Sequence, residues 1–323
     1  MDKIDLLSFF NQQPQRIKPI FYVLIGKRTI SNLLAGRRNH YLNYFRAAPT
    51  LAQTTFNRTA DVLIQEALIT ETAPENYSLT VKGKQYWQDN QAYVYRLKKY
   101  DGLFVPDLDV IDQLLGLAVQ VTSNFVHGQT HYIPVSNAWL VQRRVQHWFQ
   151  SYKKKPDFAQ QFMEELAFWL AQLPTAQPNA DYMAATFQGY RVGWSDLALT
   201  DMFGLTPLSQ HFMRLDNLTN LLWLLKQKQQ VLPMIYTLLK PTIYTQNPIS
   251  ISAQKTWLLF EQGYPLSRIA ARRHLKPSTI REHLLEVALL NDQFDFKRLI
   301  RQDDLPVNAY FTERMQSIQE MEQ

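Results

Sequence analysis

The chain contains no cysteine, so neither a disulfide framework nor a thiolate metal site is open to it. Glycine is scarce, ten in 323 residues. Scarce glycine beside abundant Leu, Gln and Ala favours an all-α architecture over a turn-rich β fold. Long apolar runs are missing as well. The most apolar stretch, Leu218–Leu225, lasts about two turns before Lys226 and Lys228 interrupt it, which is too short to span a bilayer. The N-terminal residues carry Asp2 and Asp5 and only a short apolar run, with no signal-peptide core. A cytoplasmic location is the expectation, with association with the nucleoid as a further option. Motifs of catalysis are also absent. No P-loop, nucleophile elbow, HExxH or GxGxxG occurs, so neither an enzyme nor a cofactor or small-molecule substrate is expected.

What is present is a folded chain, 46% hydrophobic and 13% aromatic, with an uneven charge pattern. Residues 1–60 hold nine Lys/Arg against two acids, and residues 251–302 hold nine against five. The net charge of the whole is +6, so the middle is acidic on balance. Two basic ends suggest two surfaces that face a polyanion.

The most informative stretch runs from Thr256 to Leu290. Trp257, Leu258 and Phe260 form a first apolar helix, and Gly263 is placed to end it. Pro265 suits the first turn of a second helix, where its missing N–H costs nothing, followed by Leu266, Ile269 and Ala270 at helical spacing. Leu275-Lys276-Pro277 makes a second corner. Ile280, Leu284 and Val287 form the buried stripe of a third helix. This is the layout of a helix-turn-helix.

The residues Thr256-Trp257, Phe260-Glu261-Gln262-Gly263-Tyr264, Leu266, Ile269-Ala270, Leu275 through Ile280 and His283-Leu284-Leu285 resemble the helix-turn-helix domain at the C-terminus of some RecQ-type helicases. They also resemble a free-standing Firmicutes family, the YpbB-like proteins. A weaker resemblance covers Gly26–Ile30, Tyr44-Phe45 and Leu79-Thr80-Val81-Lys82-Gly83. The resemblance implies a helical, DNA-associated accessory protein without a motor of its own, with a RecQ-type helicase as partner in DNA repair or recombination.

Residues 17–90 suggest a winged helix: helices at Ile17–Gly26, Thr29–Phe45 and Leu51–Ala67, then a hairpin wing through Tyr77–Val81. Its third helix offers Gln53, Thr54, Asn57, Arg58 and Gln65 to base edges or phosphates. Lys82 follows the wing. The expected domains are a winged-helix-like domain at 1–92, a helical middle at 93–246 and a helix-turn-helix domain at 247–323. Pro241–Pro248 is the expected linker. Asp303-Asp304-Leu305-Pro306 is expected to end the last fold before a polar helix at Thr312–Met321.

In the middle, Arg143, Arg144 and His147 interleave with Trp148, Phe149 and Tyr152, a pattern that suits single strands or, more ordinarily, a core with a solvated edge. Asp101, Asp107, Asp109 and Asp112 lack the glycine and histidines of a metal loop and read as a turn plus helix-terminal acids. A degenerate second helix-turn-helix is suggested at 189–225. Gly193, Leu199, Leu205 and Pro207 recur there at an offset of 70 from Gly263, Ile269, Leu275 and Pro277.

Two binding readings stay open. In one, the third C-terminal helix enters a DNA groove with Ser278, Thr279 and Arg281. Arg268, Arg272, Arg273 and Lys276 then lie on phosphates, and Arg37, Arg38, Asn57, Arg58 and Lys82 extend the contact. In the other, the protein is an adaptor, or a transcriptional regulator, and Leu285 and Leu289 dock a protein partner.

Overall fold

A computed structural model describes residues 1–176, 178–244 and 246–322. Thr245, inside the expected linker, lies outside the described residues. The chain is mostly α-helical. It begins with α1 (Lys3–Leu7), β1 (Gln15–Arg16), α2 (Lys18–Leu24), α3 (Ile30–Arg38), α4 (Gln53–Gln65), β2 (Ile69–Ala73), β3 (Asn76–Leu79) and α5 (Val81–Asn90). The middle holds α6 (Leu108–Val126), α7 (Trp139–Tyr152), α8 (Phe158–Ala171), α9 (Asn179–Thr186), α10 (Asp196–Phe203), α11 (Pro207–Lys228) and α12 (Pro233–Leu239). The C-terminal run is α13 (Ile251–Glu261), α14 (Leu266–Arg273), α15 (Pro277–Leu290), α16 (Phe296–Gln302) and α17 (Ala309–Glu322). The strands form one small sheet in the order β1-β3-β2, with Ile69 opposite Leu79 in the antiparallel hairpin.

Two compact units divide the chain, and neither is contiguous. One joins Met1–Gln15 to Leu51–Thr245; the other joins Arg16–Thr50 to Gln246–Gln323. A division between the units falls at 245/246, beside the expected boundary at 246, but none falls at 92, which lies inside the first unit. The helices foreseen at Ile17–Gly26 and Thr29–Phe45 form as α2 and α3, but they belong with the C-terminal helices. The reason lies in α15. Leu285 and Leu289 stand outside its Ile280-Leu284-Val287 stripe, so one apolar neighbour cannot cover it. α13 and α14 take one side, and α3 and α17 pack against it as well.

In the first unit, α1 packs on α4 and α5. Thr80 caps α5 by accepting from Gly83 N at 2.9 Å. A Cβ at Gly83 would stand 2.0 Å from the Leu68 carbonyl oxygen, so that turn requires glycine. Three buried carboxylates order the remainder. Asp216 accepts from the Tyr95 hydroxyl and from the backbone N–H groups of Lys98, Lys99 and Tyr100, which fixes the connector onto α11. Glu165 accepts from Met234 N and Ile235 N and closes the N-terminus of α12. Asp5 accepts from the hydroxyls of Thr206 and Ser209. Burial raises the pKa of both Asp5 and Glu165, against the pull of these hydrogen bonds.

The spaced acids of the connector have structural partners. Asp101 accepts from Leu103 N, Asp107 caps α6 through Asp109 N, and Asp112 makes a two-point ion pair with Arg214 at 2.7 Å. Among the described residues, no group of three or more His, Asp or Glu could hold a metal, and no helix is long and apolar enough to cross a membrane.

The corner between α10 and α11 repeats part of the C-terminal motif. Gly204 is left-handed (φ +63°), Thr206 caps α11 by accepting from Ser209 N, and Pro207 opens it. The first corner does not repeat. Gly193 lies in the loop between α9 and α10, clear of any helix end.

Candidate nucleic-acid interface

The second unit builds its C-terminal motif from α13, α14 and α15. At the first corner Gly263 is left-handed (φ +85°); its N–H donates to the Phe260 carbonyl and that of Tyr264 to the Leu259 carbonyl. This paired closure is a Schellman motif. The second corner repeats it without glycine. His274 takes φ +51°, its N–H donates to Ala271, and Leu275 N–H donates to Ala270. Lys276 then stands at the N-cap of α15, makes no side-chain cap, and Pro277 follows at the first turn. Leu266, Ile269, Phe260, Ile280 and Leu284 are buried and form the three-helix core.

This core sorts the arginines. Arg281 does not face solvent: it is buried, forms a two-point ion pair with Asp303, and donates to the carbonyls of Leu305 and Pro306. It also lies over Phe311. Its expected DNA role is corrected to that of a clamp holding the segment 303–306 against α15. That segment does not end the fold, for α17 beyond it packs on α15 and buries Phe311 and Ile318. Arg273 is half-buried and turned to α13, donating to the Ser252 carbonyl at 2.6 Å and to the hydroxyls of Ser252 and Thr256. Arg37 donates to the Leu289 carbonyl at 2.5 Å and pairs with Asp292 at 3.1 Å. Leu285 and Leu289 are 1% and 0% exposed, so the expected partner-binding role of both is corrected to internal packing.

Arg268, Arg272, Lys276 and Ser278 are left exposed. Arg268 and Arg272 both lie over one ring, 4.7 and 5.4 Å from the centre of Tyr264. Stacking on Tyr264 holds both guanidinium groups extended at the surface. Thr279 is half-buried. The N-terminus of α14 is closed to a phosphate, since Asp304 accepts from both the backbone N–H and the hydroxyl of Ser267. Among the described residues, no carboxylate closes that of α15 in this way. The residues foreseen in α2–α5 fall in both units. Arg38 is exposed in the second. In the first, Asn57 and Arg58 are exposed on α4, while Lys82 donates to the Glu66 carbonyl at 2.8 Å.

Residues 252–319 match a helix-turn-helix domain family. The matched span runs into α17, so it includes the segment clamped by Arg281. The chain is also similar to Protein YpbB of Bacillus subtilis (strain 168), 22% identical over 303 residues, which cover 92% of this chain and 84% of that protein. No solved structure matches it.

Inside the motif, Thr256, Arg273 and His283 form a polar triangle. The Thr256 hydroxyl lies 2.8 Å from His283 Nδ1. Burial and then Arg273 lower the His283 pKa, with Glu286 acting the other way. No sequence signal exposed this triangle, because its members lie on three helices. The left-handed His274 was equally silent, since glycine is the residue that usually marks a helix end of this kind.

Proposed function

We propose that this chain is a DNA-associated accessory protein without catalytic activity, gripping phosphates through Arg268, Arg272 and Lys276 and the N-terminus of α15. The observation that carries this reading is the separation of the cations. Arg273, Arg281 and Arg37 serve the fold, whereas Arg268 and Arg272 are exposed, stacked on Tyr264 and free of acidic partners in the hydrogen-bond pattern. Contacts of this kind position a protein on DNA but read little sequence. The resemblance of residues 256–290 to RecQ-associated helix-turn-helix domains supports a place beside a RecQ-type helicase in DNA repair or recombination, in the cytoplasm at the nucleoid.

Fluorescence anisotropy with unrelated duplexes tests the DNA half of the proposal. Comparable affinities that fall steeply with salt are expected; no binding at low salt contradicts it. Co-purification with the RecQ-type helicase after nuclease treatment tests the partnership. Retention supports a direct complex, and loss of the helicase removes that part of the proposal.

A further inference from the structure

The first unit contains a cavity of about 570 Å³ between α6, α7 and α12. Pockets that bury a ligand measure roughly 300–1,000 Å³. Its floor is apolar, made by the buried side chains of Leu114, Val141, Trp148 and Leu238. The Trp148 indole N–H donates to the Met234 carbonyl at 3.0 Å, which fixes the largest side chain of that floor.

The edge of the cavity is cationic. Arg143 and His147 are exposed and Arg144 is half-buried. Arg144 Nε donates to the Leu238 carbonyl at 2.7 Å, while its Nη2 is buried with no hydrogen-bond partner. Among the described residues, no carboxylate lines the cavity to balance these cations. The lining therefore complements an apolar group with a carboxylate beside it.

The surface next to the cavity indicates how large the occupant is. Trp139 and Leu140 are 63% and 73% exposed, and Arg143 lies over the Trp139 ring at 5.1 Å. Leu140 belongs to the lining of the cavity, whereas Trp139 lies outside it. A small free acid would fill the cavity and leave Trp139 in water. A peptide would fill it and cover Trp139. A nucleic-acid strand fits poorly, because Trp148 is turned inward and the exposed Trp139 alone, with Arg143 over its ring, is left for stacking.

We propose that this cavity docks a short acidic–apolar peptide segment of a partner protein, with an apolar side chain on the Trp148 floor and a carboxylate against Arg143 and Arg144. The inference is independent of the helix-turn-helix, which belongs to the other unit.

The test selects phage-displayed random peptides of about twelve residues, a length ample for a short recognition segment, on the intact protein. A double variant, Leu140→Glu with Arg143→Glu, serves as the control; both residues are exposed, and its melting temperature verifies the fold. Enriched peptides are expected to combine Asp or Glu with Leu, Ile, Phe or Trp, and to bind the double variant at least about tenfold more weakly. Versions with Lys in place of the acids are expected not to bind, and oligothymidylate is expected not to displace the winners. Failure to enrich peptides, enrichment without acids, or equal binding to the variant overturns the proposal. So does displacement by oligothymidylate, or binding of decanoate at this cavity when no peptide is enriched.

Discussion

At the scale of single residues, the second unit assigns its cations to two tasks, and substitutions separate them. Arg281 is buried against Asp303, at 9% and 13% side-chain exposure. Arg281→Ala leaves that carboxylate unpaired and is expected to cost about 3–5 kcal/mol of stability, read as a lower denaturant midpoint. Lys276 shows the opposite balance. It occupies an N-cap position without capping, where serine would accept a backbone hydrogen bond. Lys276→Ser is expected to stabilise the protein by about 1 kcal/mol and to weaken DNA binding. A variant that gains neither stability nor a binding defect removes Lys276 from the interface. His283 adds a pH dependence. Its folded pKa lies below the ordinary value of 6.5, so the unfolded chain binds the extra proton first. The contribution of His283 to stability is complete above 6.5 and is lost as pH falls from there toward the folded pKa. Thermal melts across this range should show that loss, and His283→Gln should flatten it.

At the scale of elements, the three C-terminal helices were legible because punctuation and periodicity agreed. Gly263, Pro265 and Pro277 marked ends and starts, and Ile269, Ile280 and Leu284 marked the inner faces. The hairpin at 69–79 was legible for the same reason. What covers α15 was not legible. Leu285 and Leu289 announced a second apolar face, but not whether another protein or a helix some 250 residues earlier in the chain covers it. Short-range patterns carry no information on such pairings. Arg281 was misassigned on similar grounds, because a guanidinium just after Ser278 and Thr279 at a helix start looks available until Asp303 is placed beside it. Leu289→Asp tests the internal assignment: a buried, unpaired carboxylate is expected to lower the melting temperature sharply. A fully stable Leu289→Asp protein would falsify the packing described for α15.

At the scale of the whole molecule, each compact unit draws on both halves of the sequence, so stability and function do not divide at a linker. A fragment containing only 246–323 lacks α3, which packs against α15. It is expected to lose cooperative unfolding or to self-associate, and a fragment as stable as the intact chain would contradict the discontinuous unit. The central claim concerns DNA, and its most direct test compares salt dependences. Each phosphate contact on duplex DNA contributes about −0.9 to the slope of log affinity against log salt. The triple variant Arg268→Ala, Arg272→Ala, Lys276→Ala removes only exposed side chains. Measured by anisotropy beside the wild type, its slope should be shallower by about 2–3, with weaker binding to every duplex and an unchanged melting temperature. An unchanged slope and affinity in the folded triple variant would contradict the assignment of this face to DNA.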